Sequence, residues 1–258
     1  MAFKSEYPNL AIVVPSFNEE TTITSLLASL YGQQRLSRQN VTHIIVNNGS
    51  TDRTPEKIAT WLKNHDGFPL TVIDEAMKGT GAASDTGFHA AIDGGAEVVA
   101  RTDADCIPES NWAVKISNNF IKRPNLKLLG GRTVAIRDKY YRPGDDLFLG
   151  VAILGAQVAL SIKNRANYLK VAIGHNTAVL AESYDVVGGI PRISINDADE
   201  DVIFSRRYLE EYGMRGVRID QNVIVATSMR RFRAYGYIGM VGHHLFPFQR
   251  KGKDIDIR

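Results

Sequence analysis

The apolar residues of this 258-residue chain change their period along its length, and the changes predict the elements. Leu10-Ala-Ile-Val-Val14 is a continuous apolar run, as expected of a parallel strand buried on both faces. Pro15-Ser-Phe-Asn18 breaks it. Ile23, Leu26, Leu27 and Leu30 then recur at i, i+3, i+4 and i+7, the spacing of one helix face. His43-Ile-Ile-Val46 predicts a second strand, closed by the turn Asn47-Asn-Gly-Ser-Thr-Asp52. Thr54-Pro55 reads as an N-cap with proline at N1, and Ile58, Trp61 and Leu62 as the buried stripe of the helix it opens. Leu70-Thr-Val-Ile73 predicts a third strand, followed by a Gly-rich loop and an Ala-rich helix from Gly81 to Ile92. Glu97-Val-Val-Ala100 is the fourth. Four strand–helix alternations within the first 105 residues predict an α/β fold, a mostly parallel sheet of Rossmann-like type flanked by helices. No G-x-G-x-x-G follows the first strand, and Lys78-Gly-Thr-Gly81 follows the third, so a dinucleotide fingerprint is not supported.

The second half is less regular. A strand is expected over Lys127 to Ile136, a helix over Asp146 to Lys163, and a strand over Asn176 to Ala181 followed by a short helix ended by Gly188-Gly189. Glu200 to Tyr212 predicts a helix with Phe204, Tyr208 and Tyr212 on one face, stopped by Gly213. Without a Pro- or Ser-rich linker or an internal repeat, a single domain over 1–258 is expected, with halves 1–107 and 108–227 and a tail 228–258.

The apolar content of 44% and charged content of 23% suit a globular protein able to bury a core. A net charge of +3 is compatible with an anionic substrate or membrane headgroups without demanding nucleic acid, and no nucleic-acid partner is expected. A single cysteine, Cys106, excludes an intrachain disulfide and favours a reducing compartment. MAFKSEYPNL has no apolar stretch suited to a signal peptide. Leu147 to Ile162 is interrupted by Gln157, flanked by Asp145, Asp146 and Lys163, and shorter than the roughly 20 residues of a membrane span. It reads as a buried or partner-facing helix, and the chain as a cytoplasmic protein.

The chemistry concentrates in VVARTDADC, Val98 to Cys106, where an apolar run ends at Asp103 and Asp105. Buried carboxylates must be solvated, paired or bound to a cation, and the carboxyl ends of strands are where α/β sheets bind ligands. Two hard oxygen ligands there suit Mg²⁺ or Mn²⁺ shared with a substrate's phosphates. For an isolated Asp-x-Asp, a solvated acidic turn is the competing reading.

Taken together, VVPSFNEE (Val13 to Glu20), IIVNNGSTD (Ile44 to Asp52), TDAD (Thr102 to Asp105) and EDVIFSRR (Glu200 to Arg207) resemble the family 2 glycosyltransferases. Those are GT-A fold enzymes that move a sugar from a nucleotide diphosphate donor to a hydroxyl acceptor with inversion. The resemblance implies a donor half at 1–107 and an acceptor half at 108–227. It implies donor contacts from Pro15, Ser16, Asn18 and Glu19 in the first motif, from Asn48 and Ser50 in the second, and from Asp103 and Ala104 in the third. Asp103 and Asp105 would hold the metal, which neutralises the departing diphosphate as Lewis acid and template. Asp201, beside Glu200, maps onto the carboxylate base that takes the acceptor's proton. The competing reading of Asp197, Asp199, Glu200 and Asp201 is a solvated first helical turn favoured by the helix dipole.

Two departures qualify the resemblance. Asn47-Asn48 stands where the family usually shows Asp-Asp, whose second member accepts a hydrogen bond from a pyrimidine ring; Asn48 still accepts but also donates and carries no charge. A uridine donor is favoured on that basis. Ser84-Asp85 stands where the family often has Arg-Asn, leaving Lys78 as a candidate positive charge for the base or phosphates. His175 and Asn176 fall at the start of the acceptor-side loop, and a late histidine, His243 or His244, is a further metal candidate. The tail from Ser228 mixes Arg and Lys with aromatic and aliphatic residues, as expected of a peripheral membrane contact, a lid, a homodimer contact, or a basic helix packed on the sheet with Arg230 and Arg231 near the donor phosphates. The alternatives to a transferase are a nucleotide-sugar-binding protein that has lost activity and a nucleotidyltransferase; the latter would want a Gly-rich basic signature after the first strand, which Pro15-Ser-Phe-Asn18 is not.

Overall fold

The structure is a computed structural model that describes residues 3, 6–33, 41–164, 172, 174–193, 200–230, 232–234 and 236. Asp197, Asp199, Arg231, His243, His244 and the tail beyond residue 236 lie outside the described residues.

Strand β1 (Leu10–Ser16) is buried along its whole length: β2 (Val41–Asn47) and β4 (Val98–Arg101), both parallel, pair with its edges, and apolar clusters cover both of its faces. The edge strand β3 (Leu70–Asp74) extends the parallel set and is half exposed. Helix α1 (Ile23–Tyr31) buries Ile23, Leu26, Leu27 and Leu30, the four residues its spacing marked. Helix α2 (Thr54–Lys63) buries Ile58 and Trp61 and packs Leu62 against the same core. Thr54 is the first residue of that helix rather than its N-cap. Asp52 Oδ1 accepts the Thr54 N–H at 2.9 Å, and the Thr54 hydroxyl is turned inward to accept the Glu19 N–H at 2.7 Å. Helix α3 (Thr80–Asp93) lies on the opposite face, and Gly87 lets it approach β1 closely.

Beyond β4 the sheet is mixed. Short β5 (Cys106–Pro108) precedes α4 (Trp112–Lys122), β6 (Leu128–Ala135), α5 (Asp145–Asn164), β7 (Thr177–Leu180), α6 (Glu200–Gly216) and β8 (Val217–Thr227). The order across the sheet is β3-β2-β1-β4-β7-β6-β8-β5. Strand β7 runs antiparallel to both β4 and β6, and β5 antiparallel to β8, whereas β6 and β8 are parallel. The sheet is therefore parallel in its first half and mixed in its second. Strands β5 and β8 and helix α4 add to the elements expected from the sequence, although Trp112, Ala113, Ile116 and Phe120 of α4 do fall at helical spacing. Gly213, at φ +62° and ψ −169°, interrupts α6 where the sequence places its stop, and a short further turn leads to Gly216. Helix α5 leaves Leu147, Val151, Leu154 and Val158 exposed, and among the described residues no helix is long and apolar enough to cross a membrane.

A Cβ at Gly87 would sit 2.3 Å from Val13 Cγ1 and 2.9 Å from Val46 Cγ2, both in the interior. Gly87→Ala should cost about 1–3 kcal/mol through overpacking, read as a lowered Tm in calorimetry. An unchanged Tm would show that α3 does not press on β1 as closely as described.

Candidate functional site

The carboxyl ends of β1, β2, β3 and β4 lie along one edge of the sheet, and the loops leaving them are tied to one another. Asn18 adopts φ +53°, a left-handed conformation that asparagine tolerates better than most residues. There its N–H donates to Ser50 Oγ at 3.1 Å and its Oδ1 accepts the Thr51 N–H at 2.8 Å. Asn48, buried, donates through Nδ2 to the carbonyls of Glu75 and Met77 at 2.9 and 2.8 Å, while its Oδ1 accepts the Gly79 N–H at 2.8 Å. An aspartate could accept from Gly79 but would face two carbonyls without a proton to give them. The asparagine is thus explained by the loop it braces. Ser16 and Thr102, at the ends of β1 and β4, are buried, and their hydroxyl oxygens have no hydrogen-bond partner among the described residues.

Behind these loops stands a cluster of acids around one buried cation. Arg101, the last residue of β4, donates from Nε to Asp103 Oδ1 at 3.1 Å. Its Nη1 faces Glu200 Oε1 at 3.5 Å and Asp201 Oδ1 at 3.7 Å at the head of α6. Burial alone would disfavour the guanidinium, but the three carboxylates outweigh it and hold Arg101 firmly protonated. Asp201 Oδ2 accepts the Gly174 N–H at 2.8 Å. Burial pushes Glu200 up to about 7, against the pull of Arg101 and aided by repulsion from Asp201 and Asp103.

A second arginine serves the other aspartate. Arg230 Nη2 donates to both carboxylate oxygens of Glu19 and lies 3.4 Å from Asp105 Oδ2, all three groups being buried. Burial, then repulsion from Asp105, raises Glu19 above the ordinary carboxylate range despite Arg230. The Ser228 N–H donates to the Asp105 carbonyl at 3.2 Å, which fixes the chain after β8 against the acidic strand end.

The remaining sequence-marked residues separate into groups. Pro15 and Ala104 are buried at the strand ends, and Ser50 braces Asn18. Lys78 is exposed, its Nζ 5.4 Å from the centre of the Phe17 ring, and does not reach the acids in this structure. His175 pairs its Nε2 with Thr133 Oγ1 at 2.8 Å; burial lowers its pKa against the opposing pull of Asp103, Asp105 and Asp201. Asn176 is a correction. Its Oδ1 accepts from Trp112 Nε1 at 2.9 Å and its Nδ2 donates to the carbonyls of Arg132 and Val223 at 2.9 and 3.0 Å. It is a fully satisfied core residue that ties α4 to β6 and β8, and it presents nothing to an acceptor.

Sequence reasoning missed Arg101, although an arginine closing an otherwise apolar strand was itself a signal. It also missed Arg192, which donates to Glu75 Oε2 at 2.8 Å, Thr86 Oγ1 at 2.9 Å and Asp85 Oδ2 at 3.2 Å. A cation from the chain ahead of α6 thus meets the aspartate at the Ser84-Asp85 departure.

Glu200 gives a pH test. Its folded pKa lies above the unfolded value of 4.5, so between 4.5 and 7 the folded chain binds more protons and stability falls as pH rises. Glu200→Gln has no such proton to lose. Relative to the parent its stability should rise as pH goes from 5 to 8, by on the order of 2 kcal/mol, read as a growing Tm difference. A Tm difference independent of pH would contradict the raised pKa.

Comparison with known proteins bears on the fold and the family of the chain. The curated protein "Putative glycosyltransferase EpsH" of Bacillus subtilis (strain 168) is 34% identical over 100 residues, 39% of this chain and 27% of that protein. The match therefore spans about a quarter of that relative's length. The solved mannosyltransferase PcManGT from Pyrobaculum calidifontis, in complex with GDP-Man and Mn²⁺, superposes with TM-score 0.65 at 21% identity, covering 97% of this chain and 67% of that one. Glucosyl-3-phosphoglycerate synthase from Mycobacterium tuberculosis, in complex with Mn²⁺, UDP and glucosyl-3-phosphoglycerate, gives TM-score 0.63 at 15% identity, covering 93% and 80%. At these identities the likeness establishes the fold, that of the GT-A glycosyltransferases. The profile of Glycosyl transferase family 2 matches residues 11–188, more than half of the chain, and the chain belongs to that family.

Proposed function

We propose that the chain transfers a hexose, with inversion, from a nucleoside diphosphate donor, UDP favoured, to a hydroxyl or lipid-phosphate acceptor, with Mn²⁺ or Mg²⁺. The observation that carries this reading is the division of carboxylates about Arg101, with Asp103 at the strand end on one side and Glu200 and Asp201 at the head of α6 on the other, while Asp105 beside Asp103 is held by Arg230. Single displacement needs such a division, a cation site on the leaving-group side and a base on the other.

The donor set fits a hard divalent cation. Asp103 and Asp105 supply carboxylate oxygens, now paired with Arg101 and Arg230 respectively, and among the described residues no group of three or more metal-ligating side chains forms. Mg²⁺ and Mn²⁺ sites commonly combine one or two carboxylates with phosphate oxygens and water. A metal bound there would neutralise charge on the departing diphosphate. Asn18, Ser50 and Asn48 hold the loops that would frame the nucleotide, and the buried hydroxyls of Ser16 and Thr102 would lie beneath it. Asp201, oriented by Gly174, takes the proton of the attacking hydroxyl, with His175 the remaining acceptor-side candidate. The paired acids favour this reading over a binding protein without activity. A cytoplasmic setting is consistent with the single Cys106, which is buried. A peripheral membrane contact or a homodimer through the tail rests on the tail's basic and aromatic composition alone.

Calorimetric titration with UDP, dTDP, GDP and CDP sugars, in Mn²⁺ and in EDTA, tests the reading. A UDP sugar should bind most tightly, weakening by at least about tenfold when the metal is removed. Asp105→Ala should lose the metal dependence and keep the fold through the remaining Glu19–Arg230 pair. Metal-independent binding and turnover would refute the cation's role, and selective GDP-sugar binding that UDP cannot displace would refute the donor assignment.

A further inference from the structure

Resting on the glycosyl-transfer reading, we propose that Arg101 is a positioning residue that registers the acceptor-side carboxylates against the donor-side aspartate. Its fork is divided between the two sides: Nε holds Asp103 Oδ1 at 3.1 Å, and Nη1 faces Glu200 and Asp201 at 3.5 and 3.7 Å. Because these donors belong to one rigid plane, a displacement of either side is transmitted to the other. The guanidinium has little freedom to retreat. Its side chain is only 5% exposed, and a cavity of about 10 Å³ beside it, bordered by Phe88, Ala172, Phe204 and Gly174, has room for a single water. Gly174 closes the remaining side. A Cβ there would lie 2.4 Å from Asp201 Oδ1 and 2.8 Å from Arg101 Nη1, so the backbone itself sets how near base and arginine come. A lysine would bring the same charge as a single point, unable to address Asp103 and the α6 acids from separate atoms.

A double-mutant cycle between Arg101→Lys and Asp201→Asn separates positioning from simple charge neutralisation. Turnover is followed as release of the nucleoside diphosphate from the donor chosen by titration, with Mn²⁺ and water as acceptor; donor Kd is measured in parallel. Arg101→Lys should lower kcat by at least about tenfold while donor Kd changes by less than about threefold. Asp201→Asn should lower kcat by about 10²- to 10⁴-fold. The double variant should be no slower than Asp201→Asn alone, because a base already lost cannot be misplaced. Losses that multiply would overturn the proposal and leave Arg101 as a counter-ion. Near-normal turnover in Asp201→Asn would instead overturn the base assignment, and the proposal with it. Should Arg101→Lys fail to fold, Gly174→Ala disturbs the same contact from the opposite side, and the same selective loss of kcat and non-additivity with Asp201→Asn are expected.

Discussion

The guanidinium of Arg101 among Asp103, Glu200 and Asp201 is the constraint around which the rest of the site is organised. A buried cation is tolerable only with counter-charge and hydrogen bonds, and three carboxylates from two distant parts of the chain supply them. They also exceed what one arginine can neutralise. Burial, aided by repulsion from Asp201 and Asp103, raises Glu200 to about 7 despite the guanidinium. Such an excess of negative charge at the end of a sheet is a destabilising arrangement for a resting protein and a useful one for binding a cation with a diphosphate. Arg230 manages the same problem one step away, between Glu19 and Asp105. The two arginines differ in origin, one closing the central strand β4 and the other following β8, so the acidic edge is held by two distant parts of the chain.

The first half of the fold was legible because its elements are simple. Every residue of β1 is buried, and its apolar run says so; α1 buries the four residues that its spacing selects. The second half was less so. Strand β8 contains Asp220, Gln221 and Asn222 in its middle, beside the irregularity between Gly131 and Arg132 of β6, and neither alternation nor a continuous apolar run survives that break. Helix α4 does carry a helical stripe in Trp112, Ala113, Ile116 and Phe120, but the bond from Trp112 to Asn176, sixty-four positions away, leaves no mark in that pattern. The direction of β7 is set by its two neighbours and leaves no mark in its own four residues.

For the site, motif residues were legible and their partners were not. Asp103, Asp105, Glu200 and Asp201 stand out in any reading of the chain. The cations that position them are long-range partners: Arg230 reaches Glu19 across 211 positions, and Arg101 reaches Glu200 across 99. Asn48 shows the converse. Its departure from the family's aspartate looks like a loss of ligand-reading capacity in sequence, but in the fold its amide meets two carbonyls and an N–H that a carboxylate could not serve together. Asn176 shows how a polar residue beside a motif can belong wholly to the core.

Placing donor-side and acceptor-side acids on opposite flanks of Arg101 commits the account to attack from the face away from the leaving diphosphate. The anomeric configuration of the first-formed product, followed by proton NMR before mutarotation, tests that most directly. A product of configuration opposite to the donor's is predicted. Retention would contradict a single displacement and leave Asp201 as an acid that binds the acceptor or stabilises the helix start rather than one that takes its proton.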